Sequence, residues 1–208
     1  MINIKVYARG YLCANSYLVY DDSTLEAVII DPTIPFEFVS KDSFFSDLKV
    51  KYILLTHCHF DHLFCYEEWR AKTQAITAIS EHDGLGLKQP NINLSSLFTG
   101  ENKSYTGADV LLKEGDSLPL GDYTVNVLST PGHTLGSVCF LIEGNLFSGD
   151  TLFANGDIGR TDFPTGSEAL ILQSIDRLLT LDKNISVYPG HGPVTTIETE
   201  RSYHKKQK

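Results

Sequence analysis

The sequence predicts an α/β protein with sheet inside and helices outside. Three observations predict it. Short runs rich in β-branched and aromatic residues alternate with helical periodicities along the chain. The alternation falls into two similar halves, as expected when strands and helices stack in layers. No linker-like stretch or close repeat interrupts the 208 residues, a length that fits one domain spanning 1–208 with a substantial core.

Residues 2–6, 16–20 and 25–30 read as strands, with Asp21 and Asp22 turning the chain between the second and third. Asp31-Pro32 ends that set, because the residue before a proline avoids helical backbone angles. A helix is expected over 36–48, where Phe38, Phe45 and Leu48 can share a face. Residues 50–55 read as a buried strand that runs straight into Thr56-His57-Cys58-His59. A helix over 63–72 and a strand over 75–79 follow. Residues 88–109 are polar, contain Pro90, Gly100 and Gly107, and have weak periodicity; they predict a long loop of the kind that often carries function. Strands return at 123–128, 137–142 and 146–148. An amphipathic helix covers 167–180, with Leu170, Ile171, Ile175, Leu178 and Leu179 on one side, and a last strand covers 185–188. The charged tail from Thr199 is expected to be frayed or weakly helical.

Composition narrows the function classes. With 42% hydrophobic and 21% charged residues the chain has the balance of a soluble globular protein. A formal charge of −9 repels nucleic-acid backbones and anionic membranes, so neither is an expected partner. Bound divalent cations would reverse that sign locally, where an anionic substrate docks. The four cysteines, Cys13, Cys58, Cys65 and Cys139, form no CxxC pair and no disulfide framework, which predicts reduced, mostly buried thiols. The opening Met1-Ile2-Asn3-Ile4-Lys5-Val6 alternates like a strand and not like a signal sequence. No apolar run approaches the roughly 18 residues that span a bilayer. These features predict a cytoplasmic protein.

Histidines carry the chemistry. Of the seven, His57, His59 and His62 crowd into six residues with Asp61 between them, directly after a predicted buried strand. His57 and His59 alternate along an extended turn, so both imidazoles can point into one cavity, while Asp61 and His62 can face a neighbouring position. Imidazole with carboxylate is the ligand set of zinc, iron or manganese rather than calcium. Further candidates end later strands: His133 in Thr-Pro-Gly-His-Thr, Asp150 in Phe-Ser-Gly-Asp-Thr and His191 in Tyr-Pro-Gly-His-Gly. Each follows a glycine, which lets the backbone turn sharply beside a metal. One such pair alone would read as a turn; three of them, with the first motif, point to a shared metal site.

This set resembles the signature of the metallo-β-lactamase superfamily over segments from Thr56 to Gly192, and the strand before Asp31 fits too. The resemblance implies a four-layered αβ/βα sandwich with metals at one edge of the paired sheets. It implies that His57, His59 and His133 hold one ion, Asp61, His62 and His191 hold another, and Asp150 bridges both. Two divalent ions, zinc before iron or manganese, are the implied cofactors. Antibiotic-cleaving members often carry cysteine where Asp150 stands, so the aspartate points away from β-lactam cleavage. The stretch Gly149-Asp150-Thr151-Leu152-Phe153, continuing to Gly159-Arg160-Thr161-Asp162-Phe163-Pro164, is similar to the glyoxalase II-like branch, in particular its short bacterial hydroxyacylglutathione hydrolase-like type. That similarity implies a small acyl-thiol substrate such as S-D-lactoylglutathione.

Two cations a few ångströms apart lower the pKa of a shared water from about 16 toward about 7, supplying a bridging hydroxide without a protein nucleophile. Asp150 would fix the metal spacing and Asp61 could accept a hydrogen bond from the hydroxide, so both are expected to be catalytic. About 17 residues follow His191, so the basic C-terminal extension through which longer glyoxalase II enzymes meet glutathione is expected to be missing. Lys88, Lys103 and Tyr105 in the long loop are expected to take over part of that role. Arg160 and Asp162 are expected to form an ion pair that shapes their loop, with substrate contact by Arg160 as the alternative. Cys58 is expected to point into the core, and His82 and His204 to be solvated. Persulfide dioxygenases also resemble the chain around Gly159-Arg160-Thr161-Asp162-Phe163 and hold one iron by two histidines and one aspartate, which gives a second reading suited to oxygen chemistry. A third is a non-catalytic metal-binding module.

Overall fold

Strand pairing in the first half follows the expected alternation. In the computed structural model, which describes residues 1–8 and 10–207, β1 (Ile2–Tyr7), β2 (Ser16–Asp21), β3 (Glu26–Ile30), β4 (Lys49–Leu54), β5 (Ile76–Ser80) and β6 (Val110–Leu112) form one sheet in that order. β1 to β3 are antiparallel and β3 to β6 parallel. The second sheet takes β7 (Ser117–Leu120), β8 (Tyr123–Ser129), β9 (Val138–Ile142), β10 (Asn145–Gly149), β11 (Ser186–Pro189) and β12 (Thr195–Thr196) in order. There β10 and β11 run parallel and the other neighbours antiparallel. The helices are α1 (Phe36–Ser40), α2 (Tyr66–Thr73), α3 (Ser95–Phe98), α4 (Glu168–Leu178) and α5 (Ile197–Gln207).

Successive side chains of a strand point to opposite faces, so each sheet feeds two cores. Leu18 of β2 and Ile53 of β4 pack under the first helical layer with Tyr66 and Trp69 of α2. Their neighbours Tyr17, Val19, Tyr52 and Leu54 meet Phe140, Ile142 and Phe147 of the second sheet. The outer face of that sheet, with Cys139 and Leu146, packs on Ile171, Ile175 and Leu178 of α4 and Ile197 of α5. Three apolar interfaces thus separate four layers, α/β/β/α, which is the expected sandwich. Trp69 is fully buried, and its Nε1 donates to the Ile34 carbonyl at 2.8 Å. All four cysteines are free thiols, with Cys13 exposed and the others buried. No helix among the described residues is long and apolar enough to cross a membrane.

Several elements differ from expectation for identifiable reasons. The helix over 36–48 breaks at Ser40-Lys41-Asp42-Ser43, whose short polar side chains favour turns, and resumes as a single tight turn at Phe45–Asp47. Phe38 is consequently 58% exposed while Phe45 is buried. β6 and β7 were not expected; both are short, and β7 carries Pro119 at a sheet edge, where a missing N–H is tolerated. The tail is docked, not frayed. Glu200 is fully buried and accepts from the backbone N–H groups of Asn155 (3.2 Å) and Gly156 (2.7 Å). Arg201 donates to the carbonyls of Leu179 (2.8 Å) and Leu181 (2.7 Å), groups that the end of α4 leaves unpaired. His204 is accordingly half-buried rather than solvated. The long loop over 88–109 contains only the single turn α3, yet it is anchored. Buried Asn93 donates to the carbonyls of Leu87 (3.2 Å) and Lys103 (3.0 Å), and its own carbonyl accepts from Phe60 N at 2.8 Å.

Candidate metal centre

Four strand ends meet at one edge of the sandwich. The segment after β4 supplies His57, His59, Asp61 and His62; the turns after β8, β10 and β11 supply His133, Asp150 and His191. Val138 N donates to the Thr56 carbonyl at 2.9 Å, and Asn15 N donates to the Gly190 carbonyl at 2.7 Å, so backbone bonds bridge the two sheets at the site. The glycines act as expected by two different means. Gly132 and Gly149 have φ of 145° and 50°, where a side chain is strained. At Gly190 the issue is space: a Cβ there would lie 2.1 Å from Asp150 Oδ1 and 2.8 Å from His62 Cε1.

The structure brings all seven predicted residues together. His57, His59 and His133 form one cluster whose donor atoms lie within 4.8 Å of one another, and Asp61, His62 and His191 form another. His59 Nδ1 faces His133 Nε2 at 2.9 Å, and His191 Nε2 lies 3.3 Å from Asp61 Oδ2. Asp150 stands between the clusters: its carboxylate is 3.5 Å from His133 Nε2, 3.3 Å from His62 Nε2 and 3.6 Å from His191 Nε2. Donors held about 2.0–2.1 Å from one tetrahedral ion are about 3.4 Å apart, so these spacings suit shared cations better than direct hydrogen bonds. His57 Nε2 and Asp150 Oδ1 are buried and lack a hydrogen-bond partner among the described residues. A cation facing them would remove a penalty of about 1–3 kcal/mol for each. The donor set therefore fits divalent metals.

Supporting groups fix which nitrogen each imidazole presents. His62 Nδ1 lies 2.9 Å from Asp31 Oδ2, His57 Nδ1 lies 3.0 Å from Thr56 Oγ1, and His133 Nδ1 lies 2.7 Å from the Arg160 carbonyl. That use of His62 Nδ1 assigns Asp31 to orienting it, although Asp31, His57 and His62 also cluster closely. Burial lowers the pKa of His57, and burial with His133 beside it lowers that of His59 to about 3, so both are neutral and free to bind metal. Burial opposes charge on His62, Asp61 and Asp150 too, but their mutual attraction wins: His62 is raised, and both carboxyls are lowered.

Sequence reading missed Asp31 and Asp83 as site residues. Asp31 also accepts from Thr56 N (2.8 Å) and Thr56 Oγ1 (2.6 Å). Asp83 is buried and accepts from Cys58 N (3.0 Å), Thr134 Oγ1 (2.8 Å) and Gly136 N (2.9 Å), clamping the His57–His59 turn to the His133 turn. A signal existed: both acids follow the C-terminal ends of β3 and β5, the strands flanking β4, where open parallel sheets place their sites. Cys58 is fully buried in the core, as expected. His82 is exposed in a turn, as expected.

The cluster floors a cleft of about 360 Å³ walled by Leu12, Leu94, Phe98, Phe153, Ile158 and Phe163, with Arg160 at its rim. Lys88, Lys103 and Tyr105 do not line it, contrary to expectation. Tyr105 turns inward to pack near Tyr66, and Lys103 lies over Phe64 and pairs with Glu101. Arg160 makes the expected ion pair with Asp162, through Nε at 2.7 Å and Nη2 at 2.6 Å.

Fold and site together define a metal-dependent enzyme on an α/β sandwich. The model of the metallo-β-lactamase superfamily matches residues 11–191, and the chain belongs to that superfamily. A Bacillus subtilis protein named as a probable metallo-hydrolase is 33% identical over 92% of this chain and 91% of its own. The mitochondrial persulfide dioxygenase of Mus musculus is 31% identical over 93% of this chain and 71% of its own. Among solved structures, one titled as a B3 metallo-β-lactamase superposes with a TM-score of 0.88 and 37% identity, covering 97% of each chain. Another, in a di-iron-bound form, gives a TM-score of 0.80 and 31% identity over 94% of this chain and 96% of that one.

Proposed function

We propose that the chain is a binuclear metallo-hydrolase that cleaves the thioester of a small acyl-thiol, S-D-lactoylglutathione or a related compound, in the manner of the glyoxalase II-like branch and in the cytoplasm. The observation that carries the reading is Asp150, whose carboxylate lies 3.3–3.6 Å from imidazoles of both clusters. His57, His59 and His133 would hold one cation, and Asp61, His62 and His191 the other, with zinc proposed for both. Bound there, divalent ions supply hydroxide at neutral pH and stabilise negative charge on a carbonyl oxygen. Asp61 faces the cleft in its charged form and can accept a proton of an attacking water through a hydrogen bond. Asp31 and the Arg160 carbonyl hold His62 and His133 in fixed tautomers. No serine, threonine, cysteine or lysine lines the cleft among the described residues, and its aspartates and histidines would be engaged in holding the cations, which favours water as the nucleophile. A thiolate leaves without needing a proton, so the absence of a lysine or tyrosine acid from that lining is compatible with a thioester.

The second reading, a mono-iron persulfide dioxygenase, is favoured by the mouse relative. Metal content measured alongside turnover separates the readings. Two ions per chain with thioester hydrolysis supports the first. One iron with oxygen consumption on glutathione persulfide supports the second, and turnover of neither the thioester nor the persulfide refutes both.

A further inference from the structure

Beyond its candidate ligands, the cleft is almost wholly apolar. Leu94 and Phe98 reach it from the loop over 88–109, Phe153, Ile158 and Phe163 from the segment after Asp150, and Leu12 from the turn after β1. The rings interlock with the metal centre. Phe98 meets Phe163 edge-on at 5.7 Å, Phe163 meets His59 at 5.8 Å, and Phe153 meets His191 at 6.1 Å. A group attached to a carbonyl at the centre must therefore lie against this wall.

Two features show the wall to be built rather than incidental. Leu12 and Phe98 stand 54% and 46% exposed at the mouth, costly positions for large apolar side chains. Leu12 and Leu94 also adopt φ of 52° and 66°, a left-handed conformation that costs a non-glycine residue about 1–2 kcal/mol.

The charges favour a neutral occupant. Arg160 is the one cation in the lining among the described residues. Its guanidinium is already engaged, paired with Asp162 at 2.7 and 2.6 Å and stacked 4.0 Å from the Phe163 ring. A glutathione carrier brings two carboxylates and would find no unpaired cation along these walls. A cleft of about 360 Å³ lies at the small end of the range for small-molecule sites, which favours a compact group.

We infer that this site selects a compact, uncharged, apolar acyl group, aromatic or medium-chain aliphatic, seated against Phe98 and Phe163 with its carrier thiol in solvent. The inference deepens the hydrolase reading and rests on it for the position of the scissile carbonyl. It prefers, within that reading, an apolar acyl-thiol over S-D-lactoylglutathione. Each methylene added to the acyl chain should strengthen binding by about fourfold until the cleft is full.

The test uses metal-loaded protein and two readouts. Displacement NMR compares acetate, hexanoate and phenylacetate, the carboxylates that such reactions release. Hydrolysis compares the acetyl, hexanoyl and phenylacetyl thioesters of the neutral thiol N-acetylcysteamine with S-D-lactoylglutathione. Hexanoate and phenylacetate are expected to bind at least about 30-fold more tightly than acetate, with kcat/KM in the same order. The Phe98→Ala variant should shrink that margin by about tenfold. Apolar preference among the carboxylates without any thioester turnover sinks the thioester reading and, with it, the assignment of the cleft to an acyl-thiol. Equal affinity across the three carboxylates, or preferred turnover of S-D-lactoylglutathione, overturns the inference and leaves the hydrolase reading in place.

Discussion

Asp31→Asn isolates one charge in the support of the metal centre. Asp31 has a φ of 48°, a conformation that asparagine tolerates, so the substitution adds no backbone strain. Its side chain is 3% exposed and accepts three hydrogen bonds, from Thr56 N at 2.8 Å, Thr56 Oγ1 at 2.6 Å and His62 Nδ1 at 2.9 Å. An asparagine that keeps the bond from Thr56 N turns its NH₂ toward Oγ1 and Nδ1. His62 must then accept at Nδ1 and carry its proton on Nε2, the nitrogen that faces Asp150 at 3.3 Å. Exchanging one or two charge-assisted bonds for neutral ones forfeits about 1–3 kcal/mol. That agrees with the roughly 10–100-fold loss of metal affinity usual for such supporting groups. A competition titration against a chromogenic chelator reads the affinity of each ion, and NMR of the imidazole nitrogens reads the His62 tautomer. The weaker ion should fall by that factor and the variant should remain folded. Two ions bound with unchanged affinity would refute the assignment of Asp31 to His62.

His59→Ala and Asp150→Ala should keep the fold, read by circular dichroism, and lose nearly all hydrolase turnover; wild-type-like turnover in either metal-loaded variant contradicts the proposed site. Gly190→Ala should lower metal content below two ions per chain, because its Cβ would press on Asp150 Oδ1 at 2.1 Å; elemental analysis that still finds two ions argues against the packing described. Asp83→Ala leaves the buried N–H groups of Cys58 and Gly136 without an acceptor, while Thr134 Oγ1 can turn to Ser137 Oγ at 2.8 Å, and should cost about 2–4 kcal/mol in urea unfolding; a loss below about 1 kcal/mol would show that water satisfies them. The Arg70 guanidinium bonded to Asp109 holds that carboxyl below its ordinary value. A lowered carboxyl stabilises the folded state above the ordinary carboxylate range and stops doing so as pH falls through the lowered value. Arg70→Met should therefore be less stable at pH 7 by at most about 1 kcal/mol, since the pair is partly exposed and screened, with the difference vanishing at a pH below the lowered value of Asp109. An equal difference at both pH values means lost packing rather than charge.

The continuous apolar runs in β2, β3, β4 and β9 by themselves determined that sheet would be buried on both faces, and hence the layered fold. The spacing of His57, His59, Asp61 and His62, with the glycines before His133, Asp150 and His191, marked the metal-site residues, because period and backbone freedom are local properties. Boundaries such as the break in the helix over 36–48 depended on local turn chemistry that the periodicity had masked. Other features were decided only by tertiary structure. Glu200 and Arg201 read as a solvated tail because a sequence displays their charge but not the unpaired backbone groups they satisfy. Asp31 and Asp83 became supports of the site only when parallel pairing set β3 and β5 beside β4. Lys88 and Lys103 looked available to a substrate until Asn93 fixed the course of their loop, which turned Leu94 and Phe98 to the cleft instead. Each of these depends on partners distant along the chain, and which distant groups meet is a property of packing that local pattern does not carry.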